Sequence, residues 1–64
     1  MIDARGLRCP WPALRLARAL RQDGEGKAFE VLADDPNAER EMRAVAEAAG
    51  RELVRLEDHR FEVR

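Results

Sequence analysis

Two apolar stripes at helical spacing govern what this chain can fold into. Ala13, Leu16, Ala17 and Leu20 stand at i, i+3, i+4 and i+7, and Met42, Val45, Ala46 and Ala49 repeat the same spacing. Both stripes are narrow. Arg15, Arg18 and Gln22 occupy the far side of the first. Glu39, Arg40, Glu41, Arg43 and Glu47 read as a solvated face on the second, with Glu39 and Arg43 spaced for an i,i+4 ion pair. A helix with one narrow stripe covers a sheet from one side only. Arg21 suits the C-terminal end of the first helix, with Gly24 and Gly26 as its stop, and Gly50 is placed to cap the second. At the start of the second helix, Asp35 before Pro36 and Asn37 are both suitable N-caps.

Around these helices the apolar residues alternate with period two. Ile2 and Ala4 alternate with Asp3 and Arg5. The run from Lys27 to Ala33 sets Phe29, Val31 and Ala33 on one face and Ala28, Glu30 and Leu32 on the other. Val54 and Leu56 share a face opposite Leu53 and Arg55. After a polar turn at Glu57 to Arg60, Phe61 and Val63 alternate with Arg60, Glu62 and Arg64. The order is β-α-β-α-β-β. The first two strands pair in parallel through a right-handed helical crossover, and the last two form an antiparallel hairpin. The fold class is α/β (α+β): a two-layer sandwich with a mixed four-stranded sheet, two helices on one face and the other face wet. Leu32 and Leu53 are left for that open face, beside Glu30, Arg55 and Glu62.

Residues 1–64 make one domain, and a chain this short buries only about 60% of the surface that its unfolded form exposes. Nothing staples it. One cysteine makes no internal disulfide, and one cysteine with one histidine fills no tetrahedral zinc site, so neither a metal nor a cofactor is expected. Twelve basic residues against thirteen acidic ones leave a net charge of −1, which argues against nucleic-acid binding driven by net charge. No apolar run approaches a membrane span, and no basic-then-apolar leader is visible. A lone thiol without a leader points to the cytoplasm, and the free chain is expected to be a monomer. The sequence holds no Ser, Thr or Tyr to phosphorylate. Gly24-Glu25-Gly26 follows a helix rather than a strand, so it reads as a turn and not as a phosphate-binding loop. His59, in the hairpin turn, reads as a surface histidine.

The single cysteine lies in Arg8-Cys9-Pro10-Trp11-Pro12, at the start of the first helix. A helix N-terminus, together with Arg8 and Arg5, favours a thiolate, so the expectation is an exposed, reactive Cys9 with a depressed pKa. Pro10 and Pro12 are tolerated in a first helical turn and fix the angle at which the thiol is presented. Trp11 beside the thiol is a candidate docking anchor or a local lid on the helix. The Arg15 and Arg18 ridge, continued by Arg21, is placed to steer an acidic partner, or is simply solvated. Pro12 stands where a dithiol oxidoreductase would need its second cysteine, and the chain has no second thiol to resolve a peroxidase.

Asp3-Ala4-Arg5-Gly6-Leu7-Arg8-Cys9-Pro10-Trp11-Pro12 resembles the opening of the TusA/SirA/YedF family of small sulfur carriers, whose mark is Cys-Pro-x-Pro after a short strand and a Gly-Leu pair. Ala33-Asp34-Asp35-Pro36 resembles the family's acidic turn after the second strand, and the likeness runs through essentially the whole chain. Met42-Arg43 stands where many members carry Ile-Pro. The resemblance implies a persulfide relay on Cys9. Sulfur would enter from a cysteine desulfurase or rhodanese-like donor and leave to an acceptor sulfurtransferase, for tRNA thiolation, sulfur oxidation or related sulfur trafficking. The protein would be a carrier rather than a turnover enzyme, without direct contact with nucleic acid or membrane. The other reading is a non-catalytic binding or regulatory module on the same fold.

Overall fold

Leu16 from the first stripe and Met42 from the second are both fully buried in one cluster. The computed structural model describes residues 1–22 and 26–64. In chain order the elements are β1 (Ile2–Asp3), α1 (Trp11–Gln22), β2 (Phe29–Leu32), α2 (Ala38–Ala48), β3 (Leu53–Glu57) and β4 (Arg60–Val63). They form the mixed sheet that the periodicities predict, in the order β1-β2-β4-β3. β1 runs parallel to β2, while β4 pairs antiparallel with both β2 and β3. The inner face of the sheet contributes Val31, Phe61 and Val63 to the cluster. Five alanines (Ala4, Ala13, Ala33, Ala38 and Ala46) fill the spaces between these larger side chains.

Helix ends follow local chemistry. The first intrahelical bond of α1 runs from the Leu14 N–H to the Pro10 carbonyl at 3.0 Å, and Pro12 is buried in the first turn. Of its expected stop at Gly24 and Gly26, Gly24 lies outside the described residues and Gly26 takes φ +70°. For α2, Asn37 takes the N-cap position and Asp35 supplies the side-chain bond. The Asp35 Oδ1 accepts the Asn37 N–H at 2.8 Å, whereas the Asn37 side chain makes no capping bond. At the other end Gly50 takes φ +73°, the Arg51 N–H reaches the Ala46 carbonyl at 2.8 Å and the Gly50 N–H reaches the Glu47 carbonyl at 3.0 Å. This pair of bonds is the Schellman motif, and the positive φ explains the glycine.

One face assignment is overturned. Leu53, expected on the open face, is 4% exposed in the core, while Leu56 is 40% exposed. The register decides this. Leu53 stands opposite buried Val63 and Arg55 opposite Phe61, and cross-strand partners share a face. Between Arg55 and Glu57 the register shifts, and Glu57 pairs with Arg60. Leu56, three residues from Leu53, falls on the opposite face by alternation. The hairpin turn is Asp58-His59, with His59 at φ +65° and its carbonyl accepting the Ala33 N–H at 2.9 Å. On the open face Leu32 is half-buried, as expected. Beside it Arg60 grips both carboxylate oxygens of Glu30 at 3.0 Å and reaches Glu57 at 2.6 Å.

Truncation of Leu16 to alanine should destabilise the domain by about 2–5 kcal/mol. By the corrected register Leu53→Ala should cost more than Leu56→Ala, which should fall within about 0.5 kcal/mol of wild type. Denaturant titration of the three variants checks both. A larger loss from Leu56→Ala than from Leu53→Ala would reinstate the alternating reading of β3.

Candidate functional site

Because β1 and β2 are parallel, the loop after one and the turn after the other leave the sheet side by side. The carboxyl ends of parallel strands are where α/β folds commonly assemble their sites. The Ala4 N–H extends the pairing to the Leu32 carbonyl at 2.7 Å, and the chain then turns at Gly6, with φ +81° and a Leu7 N–H to Ala4 carbonyl bond of 3.3 Å. The acidic turn after β2 ties this loop down. Asp34 Oδ1 accepts the Gly6 N–H at 2.9 Å, and Asp35 Oδ2 accepts the Cys9 N–H at 3.1 Å. A second turn, closed by the Trp11 N–H to Arg8 carbonyl bond at 2.8 Å, contains the cis Cys9–Pro10 peptide. Cys9 emerges exposed as a free thiol, two residues before α1.

The electrostatics differ from those expected. The Cys9 thiol donates a hydrogen bond to Glu41 Oε1 on α2. That bond, partial desolvation and the negative charges of Glu41 and Asp35 push its pKa up, against an opposing pull from Arg40. The depressed thiol inferred from the sequence is therefore corrected to a raised one. The two arginines expected to stabilise a thiolate act on carboxylates. Arg5 clasps Asp3 through two side-chain bonds of 2.9 and 2.8 Å and holds it at a pKa of about 2. The charge of Arg8 acts on Asp35, whose pKa is lowered first by the Asn37 and Cys9 backbone N–H groups. Pro12, lacking an N–H, offers the thiol no donor at the head of α1.

The remaining predicted residues sort by position. Pro10 and Pro12 flank the start of α1, and Pro12 is buried. Trp11 is the first residue of α1, and it is 59% exposed. Leu14, one turn on and also exposed, extends its apolar surface. Arg15 and Arg18 continue the exposed side of α1. They line an open depression of about 460 Å³ with Met1, Ile2 and Asp3, and Cys9 is not among its walls. Sequence reasoning misses Glu41, Arg40 and Leu14 as neighbours of the site. The acidic turn is visible as Asp34-Asp35-Pro36, but nothing local in α2 distinguishes Glu41 from the other charges on its exposed side. Among the described residues no helix is long and apolar enough to cross a membrane.

An alkylation titration tests the thiol environment. The rate with iodoacetamide follows the thiolate fraction, so the wild-type midpoint should lie above the ordinary free-thiol value. Glu41→Gln removes the neighbouring negative charge, so its midpoint should move down. A midpoint lower by about one pH unit would mean a roughly tenfold higher thiolate fraction at neutral pH. Identical midpoints would show that Glu41 does not control the thiol.

Comparison with known proteins bears on the family and the fold. The chain is 38% identical over 53 residues to the sulfur carrier protein TusA of Allochromatium vinosum, covering 83% of this chain and 70% of that one. It is 39% identical over 56 residues to a protein of Archaeoglobus fulgidus named as a candidate sulfur carrier, covering 88% of this chain and 73% of its relative. The crystal structure of a SirA-like protein from Desulfitobacterium hafniense superposes with a TM-score of 0.73 at 32% identity, over 97% of this chain and 88% of the other. The family model described as sulfurtransferase TusA matches residues 1–64, and with a matching fold and relatives of this similarity the chain belongs to the TusA family.

Proposed function

We propose that this protein is a sulfur carrier that accepts sulfur as a persulfide on Cys9 and relays it to an acceptor protein. The observation that carries the reading is the lone exposed thiol, held on a strapped loop at the head of α1. Membership of a family whose named relatives are sulfur carriers supports it. In the loading step Cys9 Sγ attacks the outer sulfur of a donor persulfide. A new S–S bond forms at Cys9, the donor's S–S bond breaks, and the donor leaves as a thiol carrying the proton released by Cys9. In delivery an acceptor thiolate attacks the outer sulfur, and Cys9 departs as thiolate and is reprotonated. Both steps are redox-neutral exchanges of one sulfur atom between thiols. The raised pKa of Cys9 makes its proton part of each step, and Glu41, which already accepts that proton's hydrogen bond, is placed to receive it.

The donor in this reading is a cysteine desulfurase or a rhodanese-like protein. The acceptor is a sulfurtransferase serving tRNA thiolation, sulfur oxidation or a related branch of sulfur trafficking. Arg8, Pro10 and Pro12 shape the loop. Trp11 with Leu14 is the apolar docking anchor beside the thiol, and Arg15 and Arg18 extend the contact along α1. A reducing compartment such as the cytoplasm keeps the thiol free.

Mass spectrometry tests the relay. After incubation with a cysteine desulfurase and cysteine, or with a rhodanese and thiosulfate, the protein should gain one sulfur atom. The gain should disappear on reduction and never form in Cys9→Ser. If neither donor system loads sulfur, the relay is wrong and the fold serves as a binding module.

A further inference from the structure

The side chains around Cys9 carry more negative than positive charge. Glu41 accepts the thiol's hydrogen bond, Asp35 accepts its backbone N–H at 3.1 Å, and Asp34 lies next in the same turn, tied to Gly6. Arg40 opposes them at the thiol, and the charge of Arg8 acts on Asp35. Glu41 is half-buried on α2 and touches the sulfur directly, whereas Trp11 follows it by two residues along the chain. A reactant at the exposed sulfur therefore meets this carboxylate at hydrogen-bond range.

We propose that Glu41 is a selectivity residue of the Cys9 site: its carboxylate holds the thiol proton and favours reaction partners that carry a cationic group beside their reacting sulfur. Two physical effects combine. An anionic reactant meets the field of Glu41 and Asp35 as it approaches, whereas a cationic one is drawn in. A cation placed against Glu41 also neutralises the charge that opposes a thiolate at Cys9, so the partner that docks correctly switches the sulfur on. In sulfur delivery the same carboxylate makes Cys9 a poor leaving group until a cation arrives, so a loaded carrier would retain its sulfur against anionic small thiols. The biological use of this gate rests on the relay reading; the gate itself is a property of the bare thiol.

The test is disulfide exchange on the unloaded protein with cystamine, a dication, and 3,3′-dithiodipropionate, a dianion. In each case Cys9 thiolate attacks one sulfur, a mixed disulfide forms and the other half leaves as thiolate. Rates are read from the mixed-disulfide mass. The ratio of the cystamine rate to the dithiodipropionate rate should be about five- to tenfold higher in wild type than in Glu41→Gln, the scale set by a single charge several ångströms from the reacting sulfur. In wild type it should also collapse between low salt and about 1 M, where the screening length falls to about 3 Å. The salt series needs no variant and so does not depend on how Glu41→Gln folds. A ratio unchanged by salt, or equal in the two proteins, overturns the gate. Because no persulfide is involved, a protein that loads sulfur yet shows no charge preference refutes the gate alone, and one that shows the preference yet never loads sulfur refutes the relay alone.

Discussion

Two aspartates after β2 hold the loop on which everything else at the site depends. The Asp34 and Asp35 carboxylates accept backbone N–H groups from Gly6 and Cys9, which lie in a segment without regular structure of its own. Asp35 serves twice, because its other oxygen receives the Asn37 N–H ahead of α2. One side chain thus joins the loop bearing the thiol to the helix bearing Glu41. The geometry of the Cys9–Glu41 contact is set by that junction and by the burial of Met42, the next residue along α2. Charge strengthens the junction: both N–H groups favour the ionised carboxylate and hold the Asp35 pKa below its usual value, so the strap stays ionised through the neutral range.

A thiol at a helix start is often taken to be a thiolate in waiting, and here the surroundings argue otherwise. The helix terminus contributes weakly where a proline supplies no donor, whereas a carboxylate in hydrogen-bond contact acts at full strength. Resting Cys9 is protonated at neutral pH, which suits a lone exposed cysteine, since the thiolate is the form that oxidants and stray electrophiles attack. On the proposed reading, reactivity is conferred by whatever docks and not stored in the free protein. A carrier that reacts only in company differs in kind from an enzyme whose nucleophile stands ready for any small substrate.

What the residues disclose on their own is governed by range. Periodicity identifies the two helices, the strand order along the chain and the inner face of β2, because each depends on residues a few positions apart. The Gly50 cap is legible for the same reason, and Asp35 and Asn37 can be narrowed to a pair but not separated without the hydrogen bond itself. The inward side of β3 is not legible. Strict alternation makes Leu56 as good a core candidate as Leu53, and the pairing with Val63 and Phe61 that decides between them is a property of another strand. The thiol's charge environment is hidden for a similar reason. Arg5 and Arg8 are near Cys9 in sequence but act on Asp3 and Asp35, while Glu41 reaches it from across the fold. Cysteine, prolines and acidic turn mark where the site is; its electrostatic sign is set by a tertiary contact.

The position of Trp11 has a consequence for how the protein can be watched. The chain contains one tryptophan and no tyrosine, so its near-ultraviolet emission comes from an indole two residues from the sulfur. That indole is 59% exposed at the head of α1, on the surface proposed for partner docking. Solvent removal around it changes the colour and yield of its light, and a sulfur atom added nearby is a quencher within reach. The molecule therefore carries a built-in optical probe beside the thiol proposed to carry sulfur, with no second indole or phenol to mask it.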